Sequence, residues 1–116
     1  VNTAVVANTI LYCRNWQETQ AFYRNTLQFP VLSERGWFIE FELNAGARLS
    51  VADESRASVK SAEGKGLTLS LRVNDLHQRH RQYERDGLSP TPLKPLWGSE
   101  VFYLHDPEGN RLEFWQ

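Results

Sequence analysis

The chain has 116 residues, 41% of them apolar and 23% charged, with a formal net charge of −1; that suits one modest domain with a real core. The balance excludes the broad basic field of a nucleic-acid surface, and no apolar run approaches the ~20 residues that cross a bilayer. A lone cysteine, Cys13, excludes an internal disulfide, and no secretory leader pattern is visible, so a cytoplasmic setting is expected. The chain begins at Val1 and contains no Met, which leaves its true start open.

In chain order, Asn8 to Cys13 alternates as a strand, with Thr9, Leu11 and Cys13 on the face to be packed and Asn8, Ile10 and Tyr12 on the other. Asn15 with Glu18 has the spacing of a capping box, and Trp16, Tyr23 and Leu27 then share one helix face. A short strand is expected near Val31 to Glu34, followed by an alternating run Phe38 to Phe41, a turn at Asn44-Ala45-Gly46 and a strand through Val51. The same series then repeats. Thr68 to Val73 is a strand that packs Leu69, Leu71 and Val73. Asp75 with Gln78 caps a helix carrying Leu76 and Tyr83, which Gly87 closes in a left-handed conformation. A poor strand near Leu93 to Leu96 lies among Pro90, Pro92 and Pro95, which confine it to an edge. Val101 to Leu104, the turn Asp106-Pro107-Glu108-Gly109-Asn110 and a final strand through Phe114 complete the chain.

Thr68 follows Asn8 by 60 residues, and Gly109 follows Gly46 by 63. Caps, helix faces and hairpins recur in the same order, so each half reads strand, helix, strand, strand, strand. The expected fold class is α+β: two tandem βαβββ modules, about 1–60 and 61–116 of one domain, forming a half-open, cup-shaped mixed sheet with helices on its outer face. Alternation assigns the other sheet face to Asn8, Phe38, Glu40, Arg48, Ser50 and Ala52 in the first half. In the second half it assigns that face to Thr68, Ser70, Arg72, Val101, Tyr103, Arg111, Glu113 and Trp115. Rings beside a few polar groups on a concave wall suit small-molecule binding. Trp37 follows Gly36 and Trp97 precedes Gly98, which places both at the rim.

Ala21-Phe22-Tyr23 with Leu27, Trp97-Gly98, and the ending Phe102-Tyr103-Leu104-His105-Asp106-Pro107-Glu108-Gly109-Asn110-Arg111-Leu112-Glu113-Phe114 resemble the vicinal-oxygen-chelate superfamily of glyoxalases, bleomycin-resistance proteins and dioxygenases. The resemblance covers nearly the whole chain. It implies paired βαβββ modules, commonly dimers, whose metal enzymes place one ligand on the first and one on the last strand of each module. Those positions here are Asn8, Ser50, Thr68 and Glu113, of which only Glu113 is an ordinary ligand. A catalytic zinc takes about three good protein ligands, and non-haem iron two histidines and a carboxylate. His77 and His80 fall on the second helix in solvated or edge positions, and His105 beside a turn. No metal ligand and no catalytic residue is therefore assigned, and no cofactor is expected; a divalent metal is disfavoured. Glu113 is expected to pair with Arg111, Arg48 or Arg72.

The expected function is a metal-free small-molecule binding protein, similar to the bleomycin-resistance type, that sequesters an antibiotic or toxin. Asn8, Phe38, Glu40, Ser50, Thr68, Arg72, Trp97, Tyr103, Arg111, Glu113 and Trp115 are its ligand-binding candidates. The alternative is a divergent lyase, isomerase or dioxygenase of the same superfamily, and a third is a regulatory or immunity module. The expected partners are a small molecule and a second copy of the chain, with neither nucleic acid nor membrane.

Overall fold

Alternation in the sequence becomes alternation in burial. In the computed structural model, which describes residues 2–116, β1 (Ala7–Cys13) buries Leu11 and Cys13 and leaves Asn8 and Ile10 exposed. Val1, the first residue of the first predicted module, lies outside the described residues. The chain divides into two compact units, one ending at Glu63 and the other starting at Gly64. Each is a βαβββ module, so the α+β class and the internal duplication hold.

In the first module α1 (Trp16–Ala21) follows β1, then β2 (Val31–Arg35), β3 (Phe38–Asn44) and β4 (Ala47–Asp53). The sheet order is β1-β4-β3-β2, with β1 parallel to β4 and the remaining pairs antiparallel. A crossover helix is what lets β1 lie parallel to β4. The Trp16 indole Nε1 donates to the Val51 carbonyl at 3.0 Å, tying the helix to the sheet. Tyr23 is fully buried, with ring centroids 5.9 Å from Phe29 and 6.1 Å from Phe41. The expected helix does not run straight to Leu27. Phe22–Thr26 widens into a π-helical turn, and the Leu27 amide donates to the Phe22 carbonyl at 2.9 Å. Trp16, Tyr23 and Leu27 are nonetheless all buried.

The second module repeats this with β5 (Thr68–Arg72), α2 (Leu76–Arg85), β6 (Lys94–Leu96), β7 (Ser99–His105) and β8 (Arg111–Trp115), in the order β5-β8-β7-β6. Phe102 and Phe114 stack at 5.2 Å, and Tyr83 meets both edge-on. His80, expected at a solvated or edge position, is buried. It lies edge-on to Phe102 at 5.0 Å, and its Nε2 donates to the Thr91 carbonyl at 2.8 Å. His77 is solvated as expected and pairs with Glu100.

The two capping boxes do not form. Asn15 and Asp75 do stand at the N-caps, but neither side chain caps a backbone amide. Their backbones, at φ −106°, ψ 63° and φ −133°, ψ 39°, lie outside the extended region that aims a cap side chain back at the first turn. Asp75 accepts instead from Arg79, one turn on, at 3.1 Å. Among the described residues no helix is long and apolar enough to cross a membrane.

Candidate functional site

The candidate residues lie on the sheet face of each module opposite its helix. In the first module the register sets Ile10 opposite Ser50 and Ser50 opposite Glu40. Ser50 Oγ donates to Asn8 Oδ1 at 2.9 Å, so the two ligand positions of this module satisfy each other. Ser50 is fully buried, where an unpaired hydroxyl would carry a desolvation cost of about 1–3 kcal/mol. Arg48 Nη1 donates to Glu40 Oε1 at 2.7 Å, which neutralises both charges locally. Phe38 stands next to Trp37, with ring centroids 5.6 Å apart.

In the second module Thr68 lies opposite Arg111, Ser70 opposite Glu113, and Arg72 opposite Trp115. Across β7, Tyr103 lies opposite Glu113 and Val101 opposite Trp115. Glu113 Oε1 accepts from Ser70 Oγ at 2.6 Å, a charge-assisted bond, and not from an arginine as expected. The arginines are occupied elsewhere. Arg111 Nε donates to Thr68 Oγ1 at 3.0 Å and its guanidinium lies 4.4 Å from the Tyr103 ring centroid. Arg72 lies over Trp115 at 5.5 Å, and Arg48 pairs with Glu40.

Two contributors escaped the sequence. Lys94 Nζ lies 5.2 Å from the Tyr103 centroid, on the side chain's second cationic neighbour after Arg111. Thr91 holds the backbone of Tyr103 from both sides: its amide donates to the Tyr103 carbonyl at 3.0 Å, and its Oγ1 accepts from the Tyr103 amide at 2.8 Å. Both residues sit among prolines that lack an amide donor, which obscured the strand signal. Thr91, between Pro90 and Pro92, supplies the pairing those prolines withhold.

Trp97 stands apart. It and Gly98 form the two-residue turn between β6 and β7, with φ 48° and 80°, and the indole is 95% exposed. Positive φ at both positions matches the twist of a tight hairpin, yet a bulky residue is uncommon there. A hollow of about 280 Å³ opens at the start of α1, lined by Arg14, Asn15, Trp16, Gln17, Glu18 and Asp53. None of the candidate ligand-binding residues lines it.

The residues do not fit a divalent metal. Asn8 spends its amide oxygen on Ser50, Thr68 offers a hydroxyl already bonded to Arg111, and Glu113 supplies a single carboxylate bonded to Ser70. One negative charge and no imidazole is a poor exchange for an ion's hydration shell. Among the described residues no group of three His, Cys, Asp or Glu side chains could hold a metal.

Two βαβββ modules with this strand order define the vicinal-oxygen-chelate class. The chain belongs to the glyoxalase-like domain family, which matches residues 6–115. Solved structures share the fold at low identity. A lactoylglutathione lyase from Agrobacterium tumefaciens is 18% identical, with 99% of this chain and 95% of that one covered and a TM-score of 0.79. A glyoxalase/bleomycin resistance protein/dioxygenase from Nocardioides is 16% identical, covering 99% and 84%, also at 0.79. TnmS3, an antibiotic binding protein from a Streptomyces species, is 18% identical, covering 98% and 96%, again at 0.79. No curated protein matches by sequence search.

Proposed function

We propose that this protein is a metal-free small-molecule binding protein of the glyoxalase/bleomycin-resistance type, a cytoplasmic homodimer that sequesters an antibiotic or toxin. The observation that carries the reading is how Asn8, Ser50, Thr68 and Glu113 are used. They offer an amide, two hydroxyls and one carboxylate, each hydrogen-bonded inside its own module. A face relieved of metal chemistry keeps its rings, Tyr103 and Trp115, and its polar groups for orienting a ligand. Antibiotic binding by TnmS3, on the same fold, agrees with this use.

The test is a thermal-shift and calorimetric screen of aromatic compounds and antibiotics, alongside elemental analysis of protein purified without chelator. At least one aromatic class should stabilise the protein saturably, by about 2.7 kcal/mol at a hundredfold excess over its Kd. Transition metal should stay well below one equivalent. A stoichiometric metal overturns the reading in favour of a divergent lyase, isomerase or dioxygenase, with Asn8 and Glu113 among its ligands. A screen with no saturable response also overturns it.

A further inference from the structure

Four arginines elsewhere in the molecule are paired with carboxylates: Arg14 with Glu63, Arg24 with Glu34, Arg48 with Glu40 and Arg79 with Asp75. The second module's sheet face departs from that pattern. Arg72 lies over Trp115, while Arg111 and Lys94 both lie over Tyr103. Among the described residues none of these three cations forms an ion pair, and all three are exposed. A ring holds a cation in place by its quadrupole, worth about 0.5–1 kcal/mol at an exposed site, but does not cancel its charge. The same face carries one carboxylate, Glu113, already bonded to Ser70. Three positive charges therefore face one negative charge.

We propose that the second module's sheet face selects a planar aromatic anion, a ring system bearing a carboxylate or an ionised phenol. This rests on the small-molecule binding reading above and adds the sign of the ligand's charge. A guanidinium seated over a ring keeps N–H donors for an anionic oxygen, and such charge-assisted bonds are about twice as strong as neutral ones. Its flat faces also stack on a planar ligand. The Tyr103 ring that carries Arg111 lies opposite Glu113, and Trp115, which carries Arg72, is two residues further along β8, which puts the two cation–ring pairs roughly 7 Å apart along the strand. A fused aromatic can lie across that span, stacked on the guanidinium that covers Tyr103. A cationic ligand would meet three like charges and one occupied carboxylate.

A matched series tests the charge while keeping the ring constant: 2-naphthoate, 2-naphthamide and 2-naphthylmethylammonium. Binding is read by calorimetry and by the NMR shifts of arginine Nε and tryptophan Nε1 groups. The naphthoate should bind at least tenfold more tightly than the amide, and the ammonium most weakly. The double variant R72Q/R111Q should lose most of that preference, the naphthoate losing more affinity than the amide, with an unchanged circular dichroism spectrum. Lys94→Gln, on the edge strand, provides an independent variant and should lower the preference by a smaller factor. Equal or tighter binding of the amide or ammonium overturns the charge preference and leaves the binding reading intact. So does an undiminished preference in both variants. Failure of the naphthoate to bind also overturns the charge preference, and the binding reading is then decided by the broader screen.

Discussion

Tyr83 carries two opposing influences on its hydroxyl. Burial pushes its pKa above the ordinary 10.0, while the hydrogen bond from Arg79 Nη1, at 3.2 Å, pulls it down; burial prevails. A phenol whose folded value is raised keeps its proton in the folded chain at pH values where the unfolded chain has released it. Its contribution is complete below pH 10 and is lost as pH rises from 10 through the folded value. Tyr83→Phe should therefore cost about 1 kcal/mol at pH 7, roughly 4–8 °C in Tm, and show a shallower alkaline loss of urea stability than the parent. A parallel alkaline decline in both proteins would refute the assignment. At this scale the family resemblance named the four ligand positions, and alternation placed Tyr103, Glu113 and Arg111 on one face. Hydrogen-bond choices could not be read this way. Glu113 takes Ser70 and not an arginine because Ser70 is its direct cross-strand neighbour, whereas Arg111 reaches Thr68 and Tyr103.

Loops between elements make demands that the elements do not. Gly64, at φ +79°, passes so close to the Asp106–Asn110 turn that an added Cβ would lie 2.2 Å from the Gly109 carbonyl oxygen. That turn is itself fixed: Asp106 Oδ1 accepts from the amides of Glu108 and Asn110 at 2.9 Å, and its Oδ2 from Asn110 Nδ2 at 3.0 Å. A rigid turn cannot yield to the new methyl group. Gly64→Ala should cost at least about 2 kcal/mol, combining the left-handed backbone penalty with the clash. Gly66 serves as the control, since its φ of +80° is the same but nothing lies within 4 Å. Gly66→Ala should cost only about 1 kcal/mol, and equal losses in chemical denaturation would show that the close approach contributes nothing. Strands and helices of both modules were legible from periodicity, including the edge character of β6. The π-helical turn was not, because Trp16, Tyr23 and Leu27 stay buried either way and leave the pattern unchanged.

At the scale of the whole molecule, the proposed homodimer makes a plain prediction: light scattering on a sizing column should give twice the 13.4 kDa chain mass, and a clean monomer would refute it. Exposed apolar side chains such as Val31 and Leu32 on edge strand β2, and Trp97 at its hairpin tip, are surface that association could cover. The sequence by itself determined the duplication, the order of elements in each module and the face on which each strand residue lies. Each of these follows from period and residue chemistry, which are local. Tertiary structure alone decided the partners. Ser50 meets Asn8 across 42 residues, Glu113 meets Ser70 across 43, and His80 turns inward to Thr91. Strand register and packing fix those distances, and both depend on how segments far apart in the chain come together.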